Sequence, residues 1–285
     1  SARSYWDNGS YREVFHGKWM AANIFTITPI KRLNFSFGNS IVYSDINVQA
    51  AYFVPFLFYK SVDHTLNSTA NSTGQNSQMF FDLSSRNIRH LHLYVTAFVD
   101  EFKMDRLRHS DQHNFISWKF GGRLSGWPLS NVALTAEYTH TNPGTYQHNI
   151  STTTFASNSY NMGHYLRANS EEMYLSLSWK PLRGLKVMGS WMLARHGNDY
   201  QYGTTTKDPQ NQPVLKDITW DNHTYAFKAR YEFIANAYVF AELIVSDING
   251  YEVDGKTPEY YLNRFTPEVF WGDNTTVSVG FNVGF

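Results

Sequence analysis

The end of the chain alternates without a break: Val277, Val279, Phe281, Val283 and Phe285 fall on one side, and Ser278, Gly280, Asn282 and Gly284 on the other. A two-residue period puts the two sets on opposite faces of a β-strand. The same pattern recurs in Leu91-Leu93-Val95-Ala97-Val99, Ile116-Trp118-Phe120, Val132-Leu134-Ala136-Tyr138 and Met173-Leu175-Leu177-Trp179. It returns in Leu185-Val187-Gly189-Trp191-Leu193, Tyr225-Phe227-Ala229-Tyr231-Phe233 and Ala237-Val239-Ala241-Leu243-Val245. With weaker segments near 19–28, 33–44 and 78–87 the reading gives eleven strands. Each is close to the ~9–11 residues that a tilted transmembrane strand needs. Helical periodicity is almost absent.

The connections sort into two kinds that alternate along the chain. Tight turns are predicted at Pro29 to Arg32, Asn87 to His90, Gly126 to Asn131, Pro181 to Gly184 and Ile234 to Asn236. Long loops rich in Asn, Thr, Ser, Tyr and His cover about 45–77, 102–113, 142–170, 197–218 and 250–273. Short turns on one rim and long loops on the other are the plan of outer-membrane barrels. A soluble β-sandwich with an aromatic core, the alternative fold, has no reason to sort its loops this way.

The faces carry the same message. Asp100, Lys119, Arg123, Glu137, Lys180, Lys228, Arg230, Glu232 and Glu242 lie on the polar faces, where they suit a watery lumen. Trp118, Tyr138, Trp179, Trp191, Tyr231 and Phe233 lie on the apolar faces toward strand ends, as in the aromatic girdles at the two membrane interfaces. The fold expected is therefore all-β, an antiparallel transmembrane β-barrel forming one domain over residues 1–285 in the bacterial outer membrane.

An even strand number with both ends in the periplasm is the rule for single-chain bacterial barrels. Eleven strands break it, so the reading expects the C-terminal part of a larger barrel, completed by a further barrel-forming segment or a complex partner. The opening Ser1 to Trp6 has no basic segment followed by an apolar one, as an export signal would, which suggests a mature or truncated product.

Composition narrows the classes further. The 285 residues hold 24 Lys+Arg against 24 Asp+Glu, so the basic footprint of a nucleic-acid binder is missing. Without cysteine there is no disulfide framework, thiol nucleophile or Cys-held zinc. No stretch is long and apolar enough for a spanning helix. The aromatic content of 17% is the unusual number in a chain whose mean hydropathy is −0.43.

Several passages resemble the Wzi-like capsule assembly family of outer-membrane proteins. They are Phe53 to Lys60, Ala97 to Phe102, Leu134 to Pro143 with Tyr146 and His148, Met162 to Glu172, and Ala194 to Gly197, in that order. The resemblance implies an eighteen-stranded barrel acting as a lectin that retains capsular or related exopolysaccharide, with outer-membrane lipids and cell-surface polysaccharide as partners. The family's N-terminal portion has no counterpart here.

For sugar binding the useful groups are exposed aromatic rings beside amides, carboxylates and imidazoles. The 142–170 loop supplies Tyr146, His148, Tyr160, His164 and Tyr165, the candidate glycan-binding residues, and loop aromatics packing the barrel mouth are the alternative for them. His109 and His113 flanking Asp111 are close enough in sequence to hold a metal, but loop residues without a fixed scaffold are better read as solvated. No Gly-x-Ser-x-Gly elbow occurs, and charges such as Glu137 and Arg123 are better read as an ion-pair ladder than as an acid/base pair. No catalytic residue, metal or cofactor is predicted. Asp100-Glu101 and His164 to Glu172 are expected to tie down loops. A porin or uptake channel, and a structural subunit of a larger complex, are the competing functions.

Overall fold

The computed structural model describes residues 2–7, 10–44, 46–67, 75–109, 111–158, 160–200 and 209–284, the side chains from residue 17 onward. A hairpin of β1 (Ala2–Asp7) and β2 (Ser10–His16) precedes the main sheet and was not expected from the pattern. The eleven strands of the main sheet are β3 (Lys18–Ile30), β4 (Leu33–Ser44), β5 (Asn76–Ser85), β6 (Leu91–Glu101), β7 (Phe115–Ser125), β8 (Val132–Thr141), β11 (Ser170–Leu182), β12 (Leu185–Gly197), β13 (Ile218–Ile234), β14 (Ala237–Gly250) and β15 (Gly272–Val283). Two-residue strands β9 (Ala156–Ser157) and β10 (Tyr160–Asn161) form a small hairpin in the 142–169 loop. Each main strand pairs antiparallel with its neighbours in chain order, so every expected strand is present and meets the expected partner.

The turn rim is built from the expected residues. Arg32, Gly184 and Asn236 take positive φ, which lets two-residue turns reverse the chain without splaying the strands, and His90 does the same at the end of the longer 86–90 connection. Gly184 could not be replaced cheaply, because a Cβ there would meet the Glu232 carbonyl. At the opposite rim the loops carry structure of their own, including α1 (Tyr59–Asn67) and α2 (Pro258–Phe265).

The sidedness of the sheet is that of a transmembrane barrel. Ile27, Phe37, Leu83, Val95, Phe120, Leu134, Leu177, Phe227, Leu243 and Val279 all stand exposed, and register puts them on one face. Trp118 and Tyr138 mark the loop end of this band, while Trp179, Tyr231 and Phe233 mark the turn end. The opposite face carries Asp82, Lys119, Glu137, Lys228 and Glu242. An exterior that is apolar and an interior that is charged is the reverse of a soluble barrel and the signature of the outer-membrane kind. No helix among the described residues is long and apolar enough to cross a membrane. Strands β13 and β14, at 17 and 14 residues, outrun the membrane, and their loop ends turn polar at Asp221, Asp247 and Asn249.

Candidate functional site

Lumen charges are mostly paired. Lys119 Nζ lies 3.9 Å from Glu137 Oε2, and the Tyr94 hydroxyl also donates to Glu137. Lys228 pairs with Glu242, and Arg230 reaches Glu232 at 3.3 Å while lying 3.7 Å over the Tyr238 ring. Arg123 departs from expectation: register sets it opposite His92 and Thr135, two steps from Glu137, whose cation is Lys119. Asp100 is a tether rather than a free lumen charge, since its carboxylate accepts the Tyr146 backbone N–H at 2.7 Å and the Gln78 amide at 3.5 Å.

The mouth of the lumen is filled by two inward-folded segments. In the 142–169 loop, Tyr146 and Phe155 pack on Phe98 at ring separations of 4.9 and 5.0 Å, with Val42 beneath them. The loop then crosses to the far strands, where Ser44 Oγ donates to Thr152 Oγ1 at 2.8 Å and Lys18 Nζ to the Thr154 carbonyl at 2.6 Å. From the other side α2 lays Leu262 and Phe265 on Trp220, Ile248, Ala194 and Leu166. Leu166 belongs to the first segment, so the two meet, and the sheet must curl for them to do so. Burying these apolar faces, at roughly 25 cal/mol per Å², is what holds otherwise polar loops inside the mouth.

Between the two segments lies a cleft of about 630 Å³ lined by Tyr146, Thr154, Asn161, Arg167, Asp199, Tyr200, Lys256, Tyr260 and Arg264, among others. Arg264 pairs with Asp199. Lys256 donates to the Tyr260 hydroxyl at 3.1 Å and sits 4.3 Å over its ring, which draws the Tyr260 pKa down. Exposed Arg167 has no ion-pair partner among the described residues. Three cations against one carboxylate leave the lining two positive charges in excess. The cleft thus offers a charge-assisted donor, an aromatic ring and amides to a ligand at the outer surface.

The five expected glycan residues are not brought together. Tyr146 borders the cleft but is only 7% exposed. His148 lines a neighbouring groove and shares a 2.8 Å hydrogen bond with Thr153 Oγ1. Tyr160, 76% exposed, stands on the small β9–β10 hairpin. His164 packs on Tyr165, whose hydroxyl donates to Glu172 on the lumen face below the plug. Burial holds both His148 and His164 below the usual imidazole pKa, His164 at about 4 with some help from the Lys119 charge. Positive charge at the mouth therefore comes from arginine and lysine. His109 lies 3.8 Å from Asp105, and His113 donates its backbone N–H to Gln210, so the loop histidines stand apart in use.

Arg167, Lys256, Tyr260 and Arg264 were not singled out by sequence. Arg167 lies inside the Met162 to Glu172 stretch, and for the residues of the α2 segment the available signal was Thr257-Pro258-Glu259, a helix start that presages α2 inside a loop.

Comparison with known proteins finds no matching family model and no matching curated protein. Among solved structures the chain is similar to OccD3 (OpdP) of Pseudomonas aeruginosa, at 12% identity and a TM-score of 0.43, over 98% of this chain and 62% of that one. It is also similar to outer-membrane expressed OmpT of Vibrio cholerae, at 10% identity and a TM-score of 0.37, over 94% of this chain and 96% of that one. A trimer form of the same outer-membrane protein gives 10% identity and a TM-score of 0.33. The chain spans less than two thirds of the length of the Pseudomonas protein. Its own sheet, apolar outside and charged within, is that of an outer-membrane β-barrel protein.

Proposed function

We propose that the protein binds a cell-surface polysaccharide, capsular or exopolysaccharide, at its loop-closed mouth and retains it there as a lectin. The carrying observation is the cleft itself: it opens between two plugs at the loop end and combines Arg167, without an ion-pair partner among the described residues, with Lys256 and Tyr260. A sugar ring can stack its apolar face on Tyr260, and a carboxylate-bearing sugar gains charge-assisted hydrogen bonds from Arg167 and Lys256. The favoured glycan is therefore acidic. The resemblance of Met162 to Glu172 to the capsule assembly family supports the same reading, since Arg167 lies within that stretch.

The action is binding rather than turnover. Glycoside cleavage calls for two carboxyl groups flanking the bond. The cleft's Asp199 is committed to Arg264, and lumen Glu137 and Glu242 are committed to Lys119 and Lys228. On cells, replacing Tyr260 and Arg167 by Ala should release polysaccharide into the medium; retention at wild-type level, with the variant present at normal amounts in the membrane, would refute the reading.

An uptake channel is the second reading, favoured by the charged lumen wall. It predicts steady ion conductance in planar bilayers. The inward-folded loops argue for a closed mouth instead.

A further inference from the structure

The 46–67 segment lies on the opposite side of the sheet from the 142–169 loop. Ile41 and Tyr43, whose side chains point the same way as lipid-facing Phe37, form a buried cluster with Tyr52 and Tyr59 from this segment. Thr152 meets Ser44 on the lumen face of the same strand. One loop therefore folds into the lumen and this one folds down the outside.

Its depth is marked by a polar pair. Asn39 and its cross-strand partner Asn23 point outward, in a row that continues through Met79, Val99 and Ile116 on successive strands. Two amides in that apolar row would be costly if bare hydrocarbon covered them. They are not bare. Asn23 Nδ2 donates to the Pro55 and Leu57 carbonyls at 2.8 and 3.1 Å, Asn39 Nδ2 donates to Asn23 Oδ1 at 2.9 Å, and Asn39 Oδ1 accepts the Tyr59 N–H at 2.9 Å. The pair thus satisfies a non-helical stretch of backbone on the lipid-facing side of the sheet, and Phe56 stacks 6.2 Å from lipid-facing Phe25.

Having displaced lipid from the asparagines, the segment shows its own apolar side outward. Phe53 is 74% and Phe56 81% exposed, with Val54 and Phe58 beside them. These side chains continue the band of Phe25, Phe37 and Ile27 without a polar break. We infer that residues 53–58 form a flap immersed in the outer leaflet, its occupant being lipid acyl chains, and that Asn23 and Asn39 exist to hold it there. Continuity with the lipid-facing band is what selects lipid over a second protein.

The test uses the absence of native cysteine. Nitroxide labels are placed at Phe53→Cys and Val54→Cys in protein reconstituted in lipid nanodiscs, with Leu177→Cys as the lipid-facing control and Tyr160→Cys as the aqueous one. Relaxation by oxygen and by a water-soluble nickel chelate is compared. The flap labels should match Leu177, with an oxygen-to-nickel ratio severalfold above that of Tyr160. A ratio like that of Tyr160 would place the flap in water, and low accessibility to both reagents would mean a protein occupant; either overturns the inference. In a second arm, Asn39→Leu should raise label mobility at residue 53 and leave residue 177 unchanged. Unchanged mobility at 53 would refute the asparagine tether.

Discussion

Leu262→Ala isolates the contribution of α2 to the mouth. Leu262 is 8% exposed and packs with Trp220, Ile248, Ala194 and Leu166. Removing three buried carbons from such a site costs about 2–5 kcal/mol. Because the cluster sits at the rim and can partly collapse, the lower part of that range, about 2–3 kcal/mol, is expected. The strands are unaffected, so the loss falls on the local equilibrium between docked and undocked α2 rather than on the barrel. At 1.4 kcal/mol per factor of ten, the amides of residues 258–266 should exchange with solvent deuterium roughly 30- to 140-fold faster. Trp220 Nε1 donates to Thr266 Oγ1 at 3.0 Å, so Thr266→Val should act in the same direction by about 1–3 kcal/mol. Hydrogen exchange read by mass spectrometry in nanodiscs measures both. If the 258–266 amides kept wild-type rates in both variants, α2 would not be held by this cluster, and the plug would need another explanation.

Three further outcomes follow from the same contacts. Docking of the 142–169 loop should weaken as pH falls from about 6.5 toward about 4, because His164, held low by burial, protonates only when the loop is released. The stability is complete above the upper limit, the loss reaches at most about 3 kcal/mol, and His164→Gln should abolish it; a nitroxide at Tyr160→Cys reports the mobility. Gly163→Ala would drive a Cβ into the Tyr146 ring, so it should expose the loop to protease while leaving the heat-resistant barrel band on a gel intact. Glu242→Gln breaks the Lys228 pair in a watery lumen and should change thermal stability by less than about 1 kcal/mol, measured by the unfolding midpoint.

The strands were legible because the membrane imposes its own rule on every one: outward residues must be apolar, so alternation survives even in β3 and β5, which are otherwise weak. The turns were legible through Gly184 and Asn236, whose positive φ the sequence advertises. Lumen pairing was not. Arg123 and Glu137 share a face, yet register, which the pattern leaves free by two residues, gives Glu137 to Lys119. The cleft was illegible for a different reason: Arg167 and Lys256 lie 89 positions apart, and their segments come together through the cluster that Leu166 and Leu262 share. Loop aromatics looked alike in sequence, but Tyr146 became packing for Phe98 while Tyr160 stayed in solvent.

The proposed cationic, glycan-binding mouth can be probed by calorimetric titration of the reconstituted protein with soluble polysaccharides. A uronate-bearing polymer should bind with an affinity that falls as salt rises, a neutral polymer of equal length should bind far more weakly, and Arg167→Ala with Lys256→Ala should remove the difference. Equal binding of both polymers, or undiminished binding by the double variant, would contradict it.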